Sequence, residues 1–212
     1  MNTSDTVQMK VMARMRRLGP GKVHTSKDFL DMGGRAAVDQ VLSRLVEHGT
    51  IKRLGRGLYY IPRFNQALGI ETAPDVDEVA RTLGRKTGSR VVPSGAVAAN
   101  RLGFSTQVPA KPVYLTDGRT RSVRVGNVSI LLKHAPPKDL PLGNPASAMV
   151  FQGLLYMGKD AVGADMIASL RKKLSVGNRR QLLKDARYVT DWVAEVVRKV
   201  CGDASVAKEH HG

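Results

Sequence analysis

The run VDQVLSRLVEHGTIKRLGRGLYYIPRF, residues 38–64, decides how the N-terminal part of the chain is read. Val38, Val41, Leu42, Leu45 and Val46 recur at i, i+3, i+4, i+7 and i+8, which places them on one stripe of a helix. Arg35, Asp39, Gln40, Ser43, Arg44 and Glu47 fall mostly on the other faces. Gly49 suits the end of that helix, where a left-handed residue is common. Two short β-prone runs then flank Leu54-Gly55-Arg56-Gly57, so Thr50 to Ile61 predicts a hairpin with an arginine at its tip.

The sequence before this run supplies the partners of that helix. Val11, Met12, Met15 and Leu18 recur at helical spacing with Lys10, Arg14, Arg16 and Arg17 between them, and Gly19-Pro20-Gly21 stops the helix. Thr25 to Asp28 offers a hydroxyl cap and a first-turn acid for a short second helix, with Phe29 and Leu30 as its core residues. Gly33-Gly34 permits a tight turn. Three helices followed by a basic hairpin is the order of a winged helix-turn-helix. The expected fold is α+β, with that domain over residues 1–64 and a second, mixed domain over 65–212.

Net charge points to the partner. The 212-residue chain carries +16, and a basic excess of this size suits a polyanion, since each neutralised phosphate releases counterions. Residues 1–64 hold 12 basic and 5 acidic side chains, net +7, so the first domain is among the denser regions of positive charge. The aromatic content of 5% argues against a single-strand binder built on stacking platforms. The third helix is therefore expected in a major groove of double-stranded DNA, with the hairpin along the backbone or minor groove.

Roles follow from position. Arg35, Gln40 and Arg44 are candidates for base or phosphate contact, because Arg and Gln can pair bidentately with purine edges. Lys22, Lys27, Lys52, Arg53 and Arg56 are candidates for phosphate contact, which positions without specifying. The bland alternative for each is a solvated surface charge. Tyr59 and Tyr60 face opposite sides of a strand, so one is expected in the core and the other is available to sugar-phosphate.

Pro62 to Pro74 looks like a connector, and Asp75 to Leu83 reads as a helix with Val76, Val79, Ala80 and Leu83 on one side. Val91-Val92 is a strand candidate, followed by a small-residue helix over 96–102. Residues 91–135 are the β-rich part, with strands around Val113, Val123 and Ile130. Residues 145–200 are helical, in segments near 145–157, 160–174, 178–188 and 190–200, and 203–212 are expected to fray. The basic run around Arg171-Lys172-Lys173, with Arg179, Arg180, Lys184 and Arg187, suits phosphate or an acidic partner.

Catalytic constellations are sparse, and the chain is not expected to be an enzyme or to hold a metal or cofactor. Gly153 to Lys159 fits seven positions of a phosphate-binding loop, but Asp160 stands where a magnesium-binding hydroxyl is needed, and the stretch reads as the end of an apolar helix. Asp75-Val76-Asp77 more plausibly opens a helix than binds a metal. The single cysteine, Cys201, excludes an internal disulfide. No apolar run reaches the ~18 residues that span a bilayer, and Met1 to Asp5 is polar, so a cytoplasmic protein without a membrane partner is expected.

The run over 38–64 resembles the N-terminal winged helix of the AbiEi family of antitoxins and regulators. The run VPSGAVAANRLGFSTQVPAKPVYLTDGRTRSVRVGNVSILLKHAPP, residues 92–137, resembles the central region of that family. The resemblance implies an antitoxin of a type IV toxin–antitoxin system, linked to abortive phage infection. It would repress its own operon at promoter repeats and counter a nucleotidyltransferase-like toxin encoded beside it. On this resemblance Arg35, Gln40, Ser43, Arg44, Arg53 and Arg56 would carry DNA binding. The competing readings are a regulator of another locus with a C-terminal sensor or dimerisation module, an enzyme acting on nucleic acid, and a basic adaptor for an acidic protein.

Overall fold

The computed structural model describes residues 3–125, 127–136, 140 and 143–202. Contacts divide the chain into two compact units, residues 1–90 with 122–130, and residues 91–121 with 131–212. Both combine helices with β-structure.

The first unit opens with α1, Thr3–Leu18, whose Val7, Val11, Met12 and Met15 are buried. A two-residue strand β1, Val23–His24, leads into a 3-10 turn, Ser26–Phe29. The expected second helix is thus a single tight turn. Thr25 caps it, its backbone N–H donating to the Asp28 carboxylate at 2.7 Å. Phe29 is fully buried, but Leu30 is 43% exposed and is not the core residue its hydrophobicity suggested. The following helix α2, Arg35–Glu47, buries Val38, Val41, Leu42 and Leu45, with Val46 partly covered. These residues, Phe29, Ile51 and Tyr59 join the α1 stripe in one apolar core.

The hairpin of strands β2, Lys52–Gly55, and β3, Leu58–Tyr60, follows, and β1 pairs on the other side of β3 to give the order β1-β3-β2. Gly57 turns the hairpin at φ 67°, a left-handed conformation that glycine adopts at no steric cost. Tyr59 joins the helical core. Tyr60 points the other way and is also buried, at 8% exposure, so neither ring is free for sugar-phosphate.

Residues 62–74 are not a plain connector. They form a second hairpin, β4 (Arg63–Asn65) and β5 (Ile70–Thr72), paired antiparallel. The next helix, α3, Val76–Thr87, is capped by Asp75, whose side chain accepts from the Asp77 N–H at 2.8 Å. The first unit therefore runs past residue 64 to Arg90, because α3 satisfies the outer edge of β1. The Glu78 carboxylate accepts from Val23 N–H at 3.4 Å, and Val23 C=O accepts from the Thr82 hydroxyl at 3.4 Å and Arg85 at 3.3 Å. An edge strand leaves a row of backbone groups unpaired, and here side chains of a helix take that place.

In the second unit, β6 (Val91–Pro93) pairs antiparallel with β7 (Val113–Thr116), which pairs in parallel with the end of β9 (Val128–His134). Strand β8 spans Arg121–Val125, and residues 122–130 group with the first unit. Helix α4, Gly95–Leu102, packs on α5, Pro145–Met157. Gly153 lies close against α4: a Cβ there would meet Leu102 Cδ1 at 2.7 Å and the Ala98 backbone at 3.6 Å. Helices α6 (Ala164–Lys173), α7 (Val176–Asp185) and α8 (Asp191–Cys201) complete a core around Phe151, Leu154, Leu170, Leu182, Val193 and Val197. The frayed tail expected over 203–212 lies outside the described residues.

Candidate nucleic-acid interface

Helix α2 sorts its side chains by the 100° step between residues. With Val38, Val41, Leu42 and Leu45 buried, Ala36, Gln40, Ser43, Arg44 and Glu47 lie within roughly 100° of arc on the opposite side, and all five are exposed. Of the candidate contacts, Gln40, Ser43 and Arg44 therefore share the outward face. Arg35 sits on the flank, where its Nε donates to Asp39 at 2.8 Å. The Asp39 carboxyl is held below its ordinary range, first by the Ser26 hydroxyl and then by Arg35. Ser43 donates to Glu47 at 3.2 Å, so its hydroxyl already has a use within the helix.

The hairpin presents a different electrostatic state. Arg53 and Arg56 are exposed, and among the described residues no carboxylate pairs with either. Lys52, on the same strand as Arg53, is compensated: its ammonium is ion-paired with Glu71 on β5. That hydrogen bond pushes the Lys52 pKa up from its ordinary value. Lys22 pairs with Glu78 at 3.0 Å, and that carboxylate is only 10% exposed. Lys27 donates to the backbone carbonyl of Lys86 at 3.0 Å, at the end of α3. Three of the nine candidates, Lys22, Lys27 and Lys52, are thus tied to α3 or β5, beyond residue 64.

Structural roles also absorb Arg14 and His24. Arg14 donates bidentately to Asp31, at 2.6 and 2.8 Å, and to the Asp28 carbonyl at 2.6 Å, tying α1 to the turn before α2. His24 is 2% exposed, its ring centroid 5.5 Å from that of Phe29, and burial pushes its pKa down.

A family model described as a family of unknown function (DUF6088) matches residues 10–182. The chain belongs to DUF6088. No curated protein matches it. The DUF6088 match takes in both units, from α1 to Leu182 in α7.

The other sequence candidates in this DUF6088 chain have local explanations. The stretch Gly153–Met157 is helical, and Gly158 turns out of α5 at φ 80°, so the loop-like spacing is not a loop. Asp75 and Asp77 open α3. Cys201 is buried, its thiol donating to the Arg179 carbonyl at 3.3 Å, and burial pushes its pKa up. Arg171 donates to the Lys199 and Val200 carbonyls at 2.6 and 3.3 Å, and Lys173 donates to the Leu102 carbonyl. These cations cap helix ends, where the last carbonyls lack intrahelical donors. Among the described residues no group of three or more His, Cys, Asp or Glu is placed to hold a metal ion, and no helix is long and apolar enough to cross a membrane.

Proposed function

We propose that this protein is a sequence-specific regulator that binds double-stranded DNA, with its first unit acting as a winged helix-turn-helix. Helix α2 is the recognition helix and the β2–β3 hairpin is the wing. The observation that carries the reading is the pairing of two exposed features on successive elements. Opposite its buried stripe α2 exposes Gln40 and Arg44, and the hairpin exposes Arg53 and Arg56, with neither of which a carboxylate pairs among the described residues. The first pair has the donors and acceptors that read base edges, and the second has the charge that holds phosphates. Arg35, engaged by Asp39, and Lys22, engaged by Glu78, are secondary contributors.

The resemblance to the AbiEi family, carried by residues 38–64 and 92–137, extends the proposal to its biological setting. The protein represses its own operon in the cytoplasm and counters a nucleotidyltransferase-like toxin encoded beside it. This part rests on the resemblance.

A titration against the protein's own upstream region and a scrambled duplex, at two salt concentrations, tests the DNA reading. Specific recognition gives a preference of ~10³-fold or more for the native region. Arg56→Ala lowers the salt slope by about 0.9 on both duplexes, as loss of one phosphate contact requires. Equal binding to both duplexes would reduce the protein to a nonspecific cation and end the regulator reading.

A further inference from the structure

The turn of the β2–β3 hairpin is held from outside the hairpin. Lys86, in the last turn of α3, donates from Nζ to the backbone carbonyl of Arg56 at 2.6 Å. The same ammonium faces Gly57, where a Cβ would meet Nζ at 3.1 Å. The carbonyl of Lys86 in turn accepts from Lys27 Nζ at 3.0 Å, and Arg85, one residue earlier, lies 3.9 Å from Asp28 and donates to Val23. The end of α3 is therefore joined to β1, to the 3-10 turn and to the hairpin tip, all within the first unit.

Strand β1 pairs only with Tyr59 and Tyr60 of β3, so the turn at Arg56 and Gly57 lies beyond the third strand, on a two-stranded end with little cohesion of its own. Its tip would otherwise sample many orientations, and an arginine there would lose the entropy of ordering on every binding event. A charged donor on the tip's carbonyl removes much of that freedom in advance, and such bonds are stronger than neutral ones. The carbonyl it grips belongs to Arg56, the tip arginine itself.

We infer that Lys86 is a positioning residue for DNA binding, which locks the hairpin turn so that Arg56 is preset to meet a phosphate. The inference rests on the regulator reading for its DNA half, and on the hydrogen bonds alone for its structural half. Lys86 acts through Arg56 and does not add a contact of its own.

Two measurements on the full chain test it. Hydrogen exchange on the free protein should show the amides of Gly55 to Leu58 losing protection in Lys86→Met, regaining it in Lys86→Arg, while those of Val41 and Leu42 stay unchanged as a folding control. In binding titrations Lys86→Met should lower affinity and reduce the salt slope by about 0.9, the value for Arg56→Ala. It should change nothing further in an Arg56→Ala background, and Lys86→Arg should restore binding. Unaltered exchange at the turn in Lys86→Met overturns the brace. Additive loss of slope in the double variant overturns the positioning role by making Lys86 a phosphate contact itself. If the unaltered protein binds no duplex, the regulator reading and the DNA half fall together, while the exchange result still decides the brace.

Discussion

Replacing Glu71 by Gln should make the protein bind DNA more steeply with salt, not less. Lys52 is ion-paired with Glu71, and both side chains are about half exposed, at 48% and 46%. In the proposed complex that carboxylate competes with a phosphate for the lysine and also adds a negative charge near the DNA. Removing it frees one cation, so log K against log salt should steepen by about 0.9. Between 50 and 200 mM salt the variant should lose about 3.5-fold more affinity than the unaltered protein. At the low-salt end it should bind more tightly. The fold should tolerate the change, because the pair is solvent-exposed and such pairs contribute little. Fluorescence anisotropy with a labelled duplex across that range reads the slope directly, and Arg53→Ala provides the opposite sign as a control. An unchanged or shallower slope in Glu71→Gln would remove Lys52 from the interface and show that the β4–β5 hairpin does not modulate it.

Two further predictions concern buried packing, one in each unit. His24 is buried beside Phe29 with its pKa pushed down, so its neutral form is favoured in the fold. Between the folded pKa and the ordinary 6.5, the unfolded chain binds more protons, so its contribution to stability is complete above 6.5 and falls as pH drops through that window. An NMR titration of the ring with a midpoint at or above 6.5 would contradict this. In the second unit, Gly153→Val should destabilise by about 1–3 kcal/mol, since even a Cβ would meet Leu102 Cδ1 at 2.7 Å and the branched side chain adds more. Urea unfolding with no drop in midpoint would mean that α4 and α5 separate freely.

Local rules explain why part of the fold was legible in advance. The α2 stripe is a strict periodic pattern, and Gly57 in its left-handed turn follows from a steric requirement that few residues meet. Asp75 opens α3 by accepting the Asp77 N–H, because its short side chain reaches that donor locally. The β4–β5 hairpin was not legible: each strand has three residues, and Phe64 and Ile70 are 63% and 53% exposed, so no buried alternation marks them. Leu30 departs from the expected core because hydrophobicity alone does not say which side of a single 3-10 turn faces inward. The candidate site was legible as a set of cations but not as a set of states. Lys52 and Lys22 look alike in sequence to Arg53 and Arg56, yet their partners Glu71 and Glu78 are 19 and 56 residues away.

The sequence by itself determined the helical stripe, the glycine turn of the hairpin and the excess of positive charge, because periodicity, backbone sterics and ionisation are properties of neighbouring residues or of composition. The tertiary structure decided which charges are spoken for. It brought Glu71, Glu78 and Lys86 onto β2, β1 and the hairpin tip, and placed α3 along the open edge of β1. Ion pairs and carbonyl grips act over a few ångströms, and pairings across tens of residues exist only once the chain has folded.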